Sequence, residues 1–256
     1  MAPRRLLLPL VLVLVPAAAS ASRALDGRAA GALYGLAIGD ALAMPVHWYY
    51  DVAAIHADFP PAGVTKAGFD APHDRHPGAF MHLSNTGGSG RGSTQGDVVG
   101  RVINHGRRHL WRRGAHYHVG MRAGENTLNA LCARLLVRTL AENGVSYSAD
   151  DWLDAYVSFM TTPGSHNDTY AESYHRRFFA NYDKGVEPRD CARGPRDSNI
   201  VTIGALVSTP VVVLAAAHKS EDDAAHDATT HAHTTHRDPE GACCALPGGP
   251  EAARPA

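Results

Sequence analysis

GLAIGDALAMPVHW, residues 35–48, decides how the rest of the chain is read. Its small and apolar residues describe a helix that Pro45 ends, because proline lacks the N–H and clashes with the preceding turn. Asp40 stands in the middle of it. A carboxylate in so apolar a run is costly unless its charge is bound, so Asp40 either faces a ligand or is a helix-terminal hydrogen-bonding residue. His47 follows at the end of the run, where an imidazole titrates near neutral pH. Upstream, Gly27, Gly31, Gly35 and Gly39 recur every fourth residue. That spacing lines them along one face of a helix over residues 26–43 and predicts close approach of a second helix onto it. A membrane helix uses such a face as well, but Arg23, Asp26 and Arg28 favour a buried helix of a soluble domain.

The next clear period lies at residues 127–142. There Leu128, Leu131, Cys132, Leu135, Leu136 and Leu140 follow the i, i+3, i+4, i+7 rule, and Asn143-Gly144 stops the helix. Ser148 with Asp151 forms a box-like cap for a third helix, and Tyr147 is placed to staple against Trp152. Trp152, Tyr156, Phe159 and Met160 are its expected buried face, and Pro163-Gly164 its end. A fourth helix is expected from about residue 168, with Tyr170, Tyr174, Phe178 and Tyr182 as a core stripe. Residues 200–217 carry no charge, but Thr202, Gly204, Ser208, Thr209 and Pro210 dilute them. They read as a kinked helix at the centre of a bundle, with a membrane span as the alternative. Ser220 and Asp223 open a last helix. Residues 51–122 read as long connections with short helices, and residues 237–256 as a disordered tail. No strand series or repeat emerges. The expected class is all-α, one helical domain over residues 22–236.

With 256 residues, 45% hydrophobic and a formal net charge of −1, the chain can build a real core but offers no electrostatic case for nucleic acid. Residues 1–21 have the parts of a secretory signal: Arg4 and Arg5, an apolar run, and Ala19-Ser20-Ala21 as a cleavage pattern. The expected location is therefore the secretory pathway, with an organellar transit peptide or an uncleaved anchor as the alternative. Cys132, Cys191, Cys243 and Cys244 make no disulfide framework, and Cys132 reads as a small core residue. Asn167-Asp168-Thr169 is a glycosylation sequon. GGSGRGST, residues 87–94, imitates a phosphate loop, but Ser93 stands where lysine belongs and no apolar strand precedes it, so it reads as a flexible loop. His231, His233 and His236 could begin a zinc site, yet a site needs a further ligand and no Glu lies between them. They read as polar surface histidines, and His116 and His118 carry the same ambiguity.

GLAIGDALAMPVH, residues 35–47, resembles the GxAxGDALGxPxE pattern on the first helix of the ADP-ribosylglycohydrolase family. GENTLNA, residues 124–130, falls where that family carries a Thr-Asp-Asp signature in a loop opening a helix. HYHVGMRAGENTLNALCARLL and GSHNDTYAESYHRRFFANY look most like the branch containing selenoprotein J and the jellyfish J-type crystallins. The resemblance covers residues 29–236 in patches. It implies a helical-bundle fold and magnesium-dependent hydrolysis of ADP-ribosyl bonds, with ADP-ribose or an ADP-ribosylated group as partner. By the same resemblance Asp40 and His47 are catalytic candidates, Thr127 and Asn129 metal ligands, and His166 and Asp168 substrate-binding residues. The departures are specific. Leu128 and Asn129 replace both aspartates, His47 replaces a glutamate, and the family's GDTDT-like second ligand set is not found, as in a truncated or misjoined chain. They imply impaired or lost catalysis, with a structural, crystallin-like role or ADP-ribose binding as the alternative.

Overall fold

The structure is a computed structural model that describes residues 27–49, 51–59, 69–72, 97–111, 116–194 and 203–237. The expected signal at 1–21, the GGSGRGST loop and nearly all of the tail expected at 237–256 lie outside these residues. The described residues form α1 (Gly27–Ala43), α2 (Val52–Asp58), α3 (Val98–Arg101), α4 (Leu128–Glu142), α5 (Ala149–Thr161), α6 (Ser173–Tyr182), α7 (Thr209–Ala215) and α8 (Glu221–His233), and no strand. The fold is all-α.

α4 is the central element, as its period requires. Leu128, Cys132, Leu136 and Leu140 are buried, and the helix packs against α1, α5 and α7. Trp152, Tyr156 and Met160 of α5, Phe178 and Phe179 of α6, and Val211 and Val212 of α7 complete the same core. Burying side chains of this size stabilises by roughly 1.5–3 kcal/mol each. On α5 the Oγ of Ser148 accepts the Asp151 N–H at 3.3 Å, as the capping pattern predicts. Phe159 is only partly buried, and Leu153 takes the expected place in the core. Tyr147 and Trp152 are joined through a third ring: both stand edge-on to His231, at 5.6 and 5.1 Å.

Several expectations fail for identifiable reasons. α1 is not a buried helix; Ala41 is its one buried residue. A Cβ placed on Gly27, Gly31, Gly35 or Gly39 would meet nothing within 4 Å among the described residues. The helix instead turns Leu33 and Leu36 to the core, with Ala37, Asp40 and Ala41 continuing that stripe at i+4, i+7 and i+8. By length and composition Gly27–Val46 could cross a membrane. Close approaches fall elsewhere, at Gly204, where a Cβ would lie 2.6 Å from Tyr174, and at Gly100, where φ is 90° and a Cβ would lie 2.7 Å from Arg108. α6 starts at Ser173 rather than near residue 168, because the Asp168 carboxylate takes the N–H of Tyr170 and competes with helix formation. In the apolar segment, a 3-10 turn at Ile203–Val207 gives way to α7, with Pro210 in the first turn, where its missing N–H costs nothing. His231 and His236 are buried, not surface residues: Ser208 meets His231 Nε2 and Thr235 meets His236 Nδ1, while His236 Nε2 is buried without a hydrogen-bond partner.

Candidate functional site

Two carboxylates from distant parts of the chain hold the N-terminus of α4. Asp40, at the inward stripe of α1, accepts from Asn126 Nδ2 at 3.0 Å, from Thr127 N at 2.8 Å and from Thr127 Oγ1 at 2.6 Å. Asn126 also donates to the carbonyl of Ala37, so the loop before α4 is tied twice to α1. Thr127 is the N-cap of α4, but its hydroxyl points to Asp40 and caps nothing. Asp168 supplies part of what is missing: its Oδ2 accepts the N–H of Leu128, which has no partner within the helix, at 2.7 Å. A carboxylate there also meets the positive end of the helix dipole.

Asp168 is buried and acceptor-only. Its Oδ1 takes the Tyr170 N–H at 3.0 Å and the ring of His118 through Nδ1 at 2.8 Å. Burial pushes this carboxyl up, but His118 and the N–H groups of Leu128 and Tyr170 override it and hold it at about 2. The far nitrogen of His118, Nε2, lies 2.7 Å from Nδ1 of His47. Asp168, His118 and His47 thus form a continuous hydrogen-bonded chain. Burial, and then the neighbouring His118 ring, lower His47 to about 4 against the pull of Asp168. His47 therefore stays neutral at physiological pH. His116 steadies the turn: its Nδ1 accepts the His118 N–H at 3.1 Å.

Next to His47 the backbone is strained. Trp48 has φ 67°, a left-handed conformation rare for a bulky residue, and its side chain remains exposed. It stacks on Tyr117 at 5.1 Å, Tyr117 meets Tyr170 edge-on, and Tyr170 stacks on Trp111. This aromatic row walls the imidazole chain.

Asn129 looks elsewhere. Its Nδ2 donates to Glu172, and its Oδ1 receives Tyr174 OH at 2.9 Å and His175 Nε2 at 3.2 Å. Burial raises Glu172 although Asn129 hydrogen-bonds it. His166 lies on the other side of Asp168: burial lowers its pKa, and the charge and backbone of Asp168 raise it in opposition. It lines a pocket of about 40 Å³ with Asn104, His105, Arg107 and Ser165, behind Asp168 rather than beside Asp40. Asn104 joins that pocket to Asp168 through its backbone carbonyl, at 3.1 Å.

Of the six residues singled out in the sequence, the structure joins Asp40 with Thr127, and His47 with Asp168 through His118. It leaves Asn129 in another environment and sets His166 on the backbone side of Asp168. Tyr117 and Glu172 are the participants that sequence reasoning missed, and His116 and His118, left there between surface and zinc-binding residues, are buried beside Asp168. The alternation in HYH, which sets His116 and His118 on one side of the chain, was the available signal.

Magnesium asks for several hard oxygen ligands in near-octahedral array. The residues present do not fit it. Leu128 has no ligand atom and both lone pairs of the Asn129 carbonyl are taken, so Thr127 Oγ1 is the one oxygen this segment could offer. Among the described residues no three of His, Cys, Asp or Glu are grouped to hold a metal ion.

An all-helical bundle with an acid at the end of α1 bound to the loop that opens its central helix is the class of protein these observations define. The chain belongs to the ADP-ribosylglycohydrolase family, whose pattern it matches over residues 21–247. That family hydrolyses ADP-ribosylated substrates and is generally metal-dependent. No curated protein and no solved structure matches the chain.

Proposed function

We propose that this chain keeps the family's affinity for ADP-ribose, or for an ADP-ribosylated side chain, at the junction of α1 and α4, but has lost hydrolysis through paired magnesium ions. The observation that carries the reading is the use made of the acids: Asp40 and Asp168 each hold three protein donors and brace the loop. Carboxylates so engaged have little capacity left to ligate an ion. Losing a contact to the reacting centre costs a hundredfold or more in rate, and such losses act as a unit. A structural role of the kind suggested by the likeness to J-type crystallins is the second reading, favoured by the exposed face of α1. On this reading the protein enters the secretory pathway, which the basic start, apolar run and small-residue pattern of residues 1–21 support.

The test is release of ADP-ribose from ADP-ribosylated arginine and serine peptides, with and without magnesium, alongside calorimetric titration of ADP-ribose and of magnesium. Measurable ADP-ribose binding, no stoichiometric magnesium binding at millimolar concentration and no magnesium-stimulated release are expected. Magnesium-dependent turnover that disappears in Asp40→Ala would overturn the reading.

A further inference from the structure

The Asp168–His118–His47 chain has a directionality that its neighbours fix. Asp168 receives two backbone N–H groups and is ionised, so it accepts from His118, and the proton of that bond sits on His118 Nδ1. When Nδ1 carries the ring's one proton, His118 has a lone pair on Nε2, 2.7 Å from Nδ1 of His47. That bond forms only if His47 carries its own proton on Nδ1. The remaining nitrogen of His47, Nε2, is left as a lone pair, and it makes no hydrogen bond to any described residue. The side chains of His118 and Asp168 are 4% and 1% exposed, so water does not compete for these bonds. His47, by contrast, is only partly buried and lies beside the exposed indole of Trp48.

We propose that His118 is a positioning residue that, with Asp168 behind it, locks His47 in the Nδ1–H tautomer and turns its Nε2 outward as a metal-independent base for water. The inference rests on the proposed function only for its substrate, an ADP-ribosyl bond. The oxygen of a water molecule bonds to the anomeric carbon while the bond from that carbon to the departing side-chain atom breaks. The water's proton passes to Nε2 of His47, and the electron pair leaves with the departing atom. That atom then takes a proton from the His47 imidazolium, which returns the base to neutrality. General base catalysis by one positioned side chain is worth about 10²–10⁴-fold, well short of the rate enhancement typical of an enzyme. Slow release insensitive to a metal chelator is the corresponding activity.

The test begins with ¹⁵N NMR of the histidine rings at pH 8. Native His47 is expected to be the Nδ1–H tautomer, the minor form of free histidine. His118→Phe, which can neither accept that proton nor satisfy Asp168, is expected to return His47 to Nε2–H and to lower kcat of chelator-insensitive release from an ADP-ribosylated arginine peptide at least tenfold, with KM unchanged. His118→Gln offers an amide N–H to Asp168 and a carbonyl to His47, and is expected to keep the tautomer and most of the rate. If His118→Phe does not fold, the native tautomer and the Gln variant decide the matter. A native His47 protonated at Nε2, or a folded His118→Phe with the native tautomer and rate, overturns the proposal. Failure of the broader reading has a different signature: magnesium-stimulated release, or no ADP-ribose binding, whichever tautomer His47 adopts.

Discussion

Between pH 6.5 and 4 the unfolded chain takes up protons on histidines that the folded chain keeps neutral. Burial, and then His118, hold His47 at about 4; burial and His236 hold His231 at about 3; burial and Arg177 hold His236 at about 4. His175 and His166 are lowered by burial as well. Each folded value lies below the ordinary 6.5, so the stability contributed is fully present above pH 6.5 and is lost as the pH falls toward the folded value. At pH 5 the unfolded chain carries about three more protons on His47, His231 and His236 than the folded chain, a slope of roughly 4 kcal/mol per pH unit. Glu172, raised by burial, works in the opposite direction over its own titration, and Asp168, held at about 2, adds its loss only below about pH 4. By pH 5 the three histidines have removed roughly 6 kcal/mol, comparable to a domain's whole stability of about 5–15 kcal/mol. Urea unfolding followed by circular dichroism at pH 7.5, 6.5, 5.5 and 5 reads this directly. The midpoint should fall steeply below pH 6.5, and His231→Gln should reduce the slope by about a third. A midpoint unchanged from pH 7.5 to 5 would refute the enclosure of neutral histidines on which the reasoning stands.

Asp40→Ala leaves Thr127 N, Thr127 Oγ1 and Asn126 Nδ2 without their shared acceptor; bonds to a charged group are worth about 1.5–3 kcal/mol, and the loss expected for the set is ~3–5 kcal/mol. Asp40→Asn, which keeps one acceptor, should lose less than half of that in the same urea assay, and equal midpoints for Asp40→Ala and the native protein would contradict the bracing role. Among glycines the contrast is opposite to what the ladder spacing implies. Gly35→Ala in the open face of α1 should raise stability by about 0.5–1 kcal/mol through helix propensity, and Gly35→Leu should fold normally. Gly204→Ala should cost about 1–3 kcal/mol through its clash with Tyr174; melting temperatures ranked the other way would show that another element covers α1.

Local chemistry was enough for much of this protein. The leucine period of α4, the Ser148 and Ser220 caps and the break before α7 are decided within a few residues, so the sequence by itself determined an all-α chain and most helix positions. The motif around Asp40 likewise located one wall of the site and the family. What the tertiary structure decided is which face of each element meets which partner. A four-residue glycine spacing specifies a smooth face but not whether anything lies against it, and Leu33 and Leu36, toward the opposite side of the helix, won the contact with the core. Thr127 and Asn129 sit two residues apart yet bond to different networks, one through Asp40 and one through Glu172. The chain of Asp168, His118 and His47 spans separations of 50 and 71 residues, and its hydrogen bonds depend on ring orientations that only packing fixes. Burial turned His231 and His236 from polar surface residues into neutral members of the interior, because a side chain's cost inside is set by the partners the fold brings to it.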